Sequence, residues 1–143
     1  MDGTLATDSV SFTILTNLME GLMQYDADLN PIPAIAKRLS YSNEGRTITF
    51  YLRKDVYWSD GMRVTAEDFE YSWKRLLDPQ TAAQYAYFLF DIKNAFEYNS
   101  GIIKDRDEVG VRAIASDILE VTLKKPVVYF PSITTFMVTF PLR

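Results

Sequence analysis

The sequence predicts an α+β domain, a mixed and largely antiparallel sheet with flanking helices. Three observations carry that prediction. Residues 46–53 alternate with the period of a strand, Ile48, Phe50 and Leu52 on one side and Thr47, Thr49 and Tyr51 on the other. Residues 111–123 read as two strands around Ala115-Ser116-Asp117, a second hairpin. Between these patterns, Thr65 opens an amphipathic helix with Asp68 at capping-box spacing.

Taken in order, the chain first offers Asp8 or Ser9 as the cap of a helix in which Val10, Ile14, Leu18 and Leu22 recur every four residues. Gly21 lies near its end. Residues 23–25 begin a strand, and 26–31 have the composition of a turn. Pro33 opens a segment, 34–37, that suits one or two helical turns. Ser42-Asn43-Glu44-Gly45 precedes the alternating strand, so residues 39–41 pair with it as a hairpin. A turn at Ser59-Asp60-Gly61 leads to the helix that begins at Thr65. Glu67 and Asp68 sit where the helix dipole favours acids, and Lys74 and Arg75 where it favours bases. Phe69, Trp73, Leu76 and Leu77 form its apolar stripe, and Asp78-Pro79 stops it. A second helix is expected over 81–99, rich in aromatics and ended by Ser100-Gly101. After the second hairpin, Lys124-Lys125-Pro126 breaks the chain. Residues 127–137 are ambiguous, and 138–142 read as a terminal strand.

Composition narrows the function. Of 143 residues, 48% are hydrophobic, enough for one core and too few residues for two domains. Fifteen basic residues against 19 acidic give a net charge of −4, and no Lys or Arg occurs before Lys37. Such a chain has no field for holding phosphate backbones, which argues against nucleic acid as a partner. With no histidine, the commonest metal ligand and near-neutral proton carrier is missing. With no cysteine, stability rests on the core. No basic-then-apolar leader follows Met1, and the uncharged run 126–142 is too short and too interrupted by Pro131 and Pro141 to span a bilayer.

Several chemical readings fail on inspection. Asp26-x-Asp28-x-Asn30 starts like a calcium loop, but Pro31 stands where the sharp turn needs Gly and Lys37 where a bidentate Glu is required. Glycine-rich phosphate loops and nucleophile elbows are absent. Glu67 and Asp68 are adjacent at a helix N-terminus, which favours ionisation and disfavours a general acid, so a glycosidase-type carboxylate pair is not expected. Trp58, Trp73 and the aromatics of 81–99 could form a stacking surface, though aromatics at helical spacing are more often core. Tyr51 and Tyr57 are better placed for exposed contacts. Arg53 and Arg75 could clamp a carboxylate, or pair with the acids of the capped turn. The uncharged run 126–142 reads as a buried strand, as a surface that docks on further structure, or as both.

One ordered series of motifs goes further. Glu20-Gly21-Leu22, Tyr25-Asp26 and Pro33-Ala34-Ile35-Ala36 are followed by Thr47-Ile48-Thr49-Phe50-Tyr51-Leu52-Arg53 and Trp58-Ser59-Asp60-Gly61. Thr65-Ala66-Glu67-Asp68-Phe69, Tyr71-Ser72-Trp73-Lys74-Arg75, Asp78-Pro79, Val121-Thr122-Leu123 and Tyr129-Phe130 complete the series. Over nearly its whole length the chain resembles the N-terminal part of the peptide/nickel family (family 5) of extracellular solute-binding proteins, and within it the oligopeptide-binding branch.

The resemblance implies a subdomain of a two-lobed, periplasmic-binding-protein-like fold. Residues 1–22 would be a lead-in loop and helix belonging to the main N-terminal lobe. Residues 23–143 would form an accessory α+β subdomain whose last strand returns towards that lobe. It implies no catalysis and no cofactor. The implied partners are an oligopeptide ligand and ABC permease subunits, at the extracellular face of the membrane or in the periplasm. A signal or lipoprotein peptide is absent from the sequence, which reads as a monomeric fragment with Met1-Asp2-Gly3 as an added start. By spacing from Glu20-Gly21-Leu22, the resemblance places Thr7, Asp8, Ser9 and Val10 in a loop whose backbone contacts the bound peptide. Two alternatives stay open: a different solute within the family (nickel, haem or an oligosaccharide), or a stand-alone, non-catalytic interaction module.

Overall fold

A computed structural model describes residues 5–10 and 19–142. The expected first helix falls largely on 11–18, outside the described residues; Ser9 and Val10 are helical, but residues 19–22 are not, so Leu22, although fully buried, lies past the helix. Two sheets follow. The smaller pairs β1 (Met23–Tyr25) with β2 (Pro31–Pro33), antiparallel, around the predicted turn. Asp26 closes that turn by accepting the amides of Asp28 and Asn30 on one carboxylate oxygen.

The larger sheet is four-stranded and antiparallel, in the order β3-β4-β6-β5. Its strands are β3 (Ala36–Ser42), β4 (Thr47–Leu52), β5 (Val111–Ala115) and β6 (Ile118–Thr122). Both predicted hairpins are therefore present, and their four strands form one sheet. Central β4 keeps the predicted alternation: Ile48, Phe50 and Leu52 are fully buried, and Phe50 and Ile48 face Leu119 and Val121 of β6 in register. The opposite face carries Arg38 over the Tyr51 ring at 3.5 Å.

Helix α1 (Ala66–Leu77) covers the apolar face of the sheet. Phe69, Trp73, Leu76 and Leu77 are fully buried, as the stripe requires. Asp68 makes the acidic arm of the capping box, accepting the Thr65 amide at 2.9 Å, and takes the Trp58 indole N–H at 3.1 Å on the same oxygen. The Ala66 amide reaches the Ser116 carbonyl, which ties the helix start to the β5–β6 turn. At the exposed edge of the sheet, Glu70 accepts the Ala113 amide of β5 at 2.6 Å. Asp68→Ala removes both side-chain bonds at the helix start and is expected to cost about 1–3 kcal/mol. Urea unfolding followed by indole fluorescence measures this, and a loss below about 0.5 kcal/mol contradicts the assignment.

Three expectations are corrected. Residues 34–37 are not helical: Ala34 and Ile35 form a bend and Ala36 begins β3, while the Ala34 and Ala36 amides donate to the Leu22 carbonyl and the Ile35 amide to that of Gly21, so this segment runs against the incoming chain. Residues 81–99 are not one helix. They form a 3-10 turn over Ala86–Leu89, an isolated bridge from Ile92 to Leu123, and a short helix α2 (Ala95–Asn99). Positive φ at Ala82 and Asn94 interrupts any helix there, and the buried residues Ala86, Leu89, Ile92, Ala95 and Tyr98 recur every third position, the 3-10 period. Residues 138–142 are not a strand. After α3 (Phe130–Ile133) comes a 3-10 turn over Met137–Thr139. The Thr139 and Phe140 carbonyls accept the Trp73 indole N–H and the Ser72 hydroxyl, both at 2.7 Å, so helix side chains take the place of a partner strand.

Candidate functional site

The run 58–75 proves to be scaffold. Trp58 is half-buried against the helix cap, and Trp73 is fully buried edge-on to Phe130 at 6.2 Å, so neither offers a free stacking face. Tyr51 is covered by Arg38, whereas Tyr57 stays exposed. Arg53 pairs with Asp55, not with the acids of the capped turn, through two bonds of 2.9 and 3.0 Å. That guanidinium holds the Asp55 carboxyl below its usual range.

Thr7, Asp8, Ser9 and Val10 are all exposed, directly after buried Ala6. Leu5 lines a polar basin with Tyr71, Arg75, Asp78 and Arg106, so the segment passes the C-terminal end of α1. The Lys74 ammonium near this end is buried, 3.3 Å from Glu70 and 3.1 Å from Asp107. It pulls the Asp107 carboxyl below its usual range by hydrogen bonding and charge. Among the described residues, no group of three acids is placed to hold a metal.

The feature that sequence reasoning missed as a site is an apolar groove of about 450 Å³. Tyr25 of β1, Phe88 of the aromatic turn, and Tyr129, Ile133, Phe136 and Met137 of the C-terminal segment line it. Phe88 lies 4.6 Å from Phe136 and stacks on Tyr87 at 4.8 Å, while Tyr85 meets Phe136 edge-on at 5.8 Å. The Tyr129 hydroxyl bonds to Asp91, which raises its pKa. The uncharged run and the aromatic density were visible in the sequence; their convergence was not.

Residues 30–142 match the bacterial extracellular solute-binding proteins, family 5, middle region. The chain belongs to this family. The oligopeptide-binding protein of Bacillus subtilis (strain 168) is 42% identical over 139 residues, which is 97% of this chain and 25% of that protein. A substrate-binding domain of an oligopeptide ABC transporter from Bacillus anthracis superposes over 100% of this chain and 27% of its own, with a TM-score of 0.96 and 45% identity. A Listeria monocytogenes protein, OppA, solved bound to peptide, covers 99% of this chain with 28% of its own length, at a TM-score of 0.95 and 39% identity. The family 5 chain described here thus spans about a quarter of the length of the relatives it matches. Members of family 5 are solute-binding proteins, and the helix-and-hairpin scaffold is theirs.

Proposed function

We propose that this chain is one part of the substrate-binding component of an ABC-type oligopeptide importer, which captures extracellular peptides and delivers them to a membrane permease. The observation that carries this reading is the superposition of the whole chain on a family 5 protein solved with peptide bound. Residues 1–22 then belong to the main lobe, and 23–143 are an accessory subdomain that returns to it. The component works at the extracellular face of the membrane or in the periplasm and carries out no catalysis, and the part described here is monomeric on its own. Thr7 and Asp8, exposed beside an anchored Ala6, suit a loop that offers its backbone to a peptide, and Ser9 and Val10 follow it as the start of a helix.

Calorimetry of the complete gene product against a mixed peptide library tests the reading. Heat of binding at micromolar peptide is expected; no heat from any peptide, or heat only from nickel, haem or an oligosaccharide, rejects it. Ser9→Pro, which deletes one backbone amide where this loop enters the helix, is expected to weaken binding by about tenfold, the worth of one hydrogen bond.

A further inference from the structure

The apolar groove contrasts with the two polar concavities beside α1 and β5, and unlike the smaller apolar hollow at Tyr41, Pro126 and Val128 it is lined by several aromatic rings. Its lining holds no charged side chain, whereas the basin at the end of α1 and the cleft beside β5 are bounded by Lys, Arg, Asp and Glu. Tyr25 and Tyr129 on its rim are about half exposed, at 48% and 54%. A continuous apolar and aromatic concavity of this kind marks a surface that is covered in the working molecule.

The backbone indicates what covers it. Incoming and outgoing chains cross at one point: a Cβ placed on Gly21 would lie 2.6 Å from the Thr134 carbonyl oxygen and 2.8 Å from the Phe140 ring. The walls of the groove begin within a few residues of that crossing, with Tyr25 after Gly21 and Phe136 and Met137 before Phe140. Relatives that superpose on the whole of this chain are about four times as long. Further polypeptide that such relatives carry beyond the position of Phe140 would leave from beside this crossing, next to the groove. We infer that the groove is an intramolecular docking seat, on which the rest of the two-lobed protein packs its apolar side chains. The inference rests on the reading of this chain as one part of a larger solute-binding protein, and it concerns how that part is held rather than what the protein captures.

Thiol accessibility tests it. The sequence has no cysteine, so Ser132→Cys, an isosteric change in the groove lining, introduces a unique reporter, and Ile102→Cys on an exposed loop serves as its control. Each variant is labelled with maleimide in the lone chain and in a graft. In the graft, this chain replaces its matching quarter of the Bacillus subtilis relative, whose own cysteines are changed to serine. The inference expects labelling at position 132 to slow by about tenfold or more in the peptide-free graft, with position 102 changed by less than about twofold. Equal rates at 132 overturn it. So does protection that needs added peptide, which makes the groove a ligand subsite. Protection of the lone chain that grows with its concentration also overturns it, because a second copy is then the occupant. If the graft does not fold, the lone chain is refolded with the complementary three quarters of the relative, and unchanged reactivity again overturns the inference. A graft that protects the thiol but binds no peptide separates this inference from the functional reading.

Discussion

Trp73→Ala is expected to lower the unfolding free energy by about 3–5 kcal/mol, the range for emptying a buried aromatic site. Three losses combine. The indole is fully buried and packs edge-on against Phe130, so its removal leaves a cavity between α1 and α3. Its N–H donates to the Thr139 carbonyl at 2.7 Å, and that buried acceptor is left without this partner. The C-terminal segment also loses one of its two side-chain hydrogen bonds to α1, keeping the neighbouring clasp from Ser72 to Phe140. Against a total stability on the order of 5–15 kcal/mol, such a loss populates the unfolded state visibly at ordinary temperature. Equilibrium urea unfolding followed by far-UV circular dichroism gives the number. Trp73→Phe separates the terms, since it refills most of the volume while leaving the carbonyl unpaired, and should cost about 1–3 kcal/mol. Equal losses for the two variants would assign the whole effect to the hydrogen bond.

Gly21→Ala is expected to cost about 1–3 kcal/mol through overpacking. The cost is steric, since nothing in the glycine's own backbone demands its freedom. The added methyl would stand 2.6 Å from a backbone oxygen and 2.8 Å from an aromatic carbon, and a backbone oxygen cannot rotate aside. Relief requires the incoming and outgoing chains to separate, which stretches the bond from the Ile35 amide to the Gly21 carbonyl. Gly61→Ala makes a useful contrast: no atom lies within 4 Å of its new methyl, so any cost there comes from its φ of +87° alone. Thermal unfolding of the two variants distinguishes the causes, and an unchanged midpoint for Gly21→Ala would remove the crossing from the account.

The parts of the fold that were legible are those decided locally. Alternation at 47–52 needed only neighbouring residues, and the Thr65–Asp68 spacing announced its own cap. The stretch 81–99 escapes a local reading because its shape is set from outside. Ile92 bridges to Leu123, and the backbone turns left-handed at Ala82 and Asn94, two features without a short-range helix signature. A usable clue was nevertheless present in the three-residue recurrence from Ala86 to Tyr98, which the aromatic density obscured. The terminal segment failed as a strand for a related reason: its carbonyls find hydroxyl and indole donors on α1, a pairing that no alternation of 138–142 could announce. Of the site, Thr7 to Val10 came from resemblance alone. The groove, assembled from Tyr25, Phe88 and Phe136, lies beyond any reading by period or spacing.

The bond from the Ala113 amide to Glu70 has a consequence for solubility. An outer strand with open amides is a template on which another chain can add itself, the first step towards fibrous assembly. Here one such amide is already occupied by a carboxylate from the helix above, and an approaching strand would have to displace a charged acceptor to use it. Glu70 thus acts as a stopper against sheet growth, a duty assigned to a helix residue that no inspection of the strand itself would reveal.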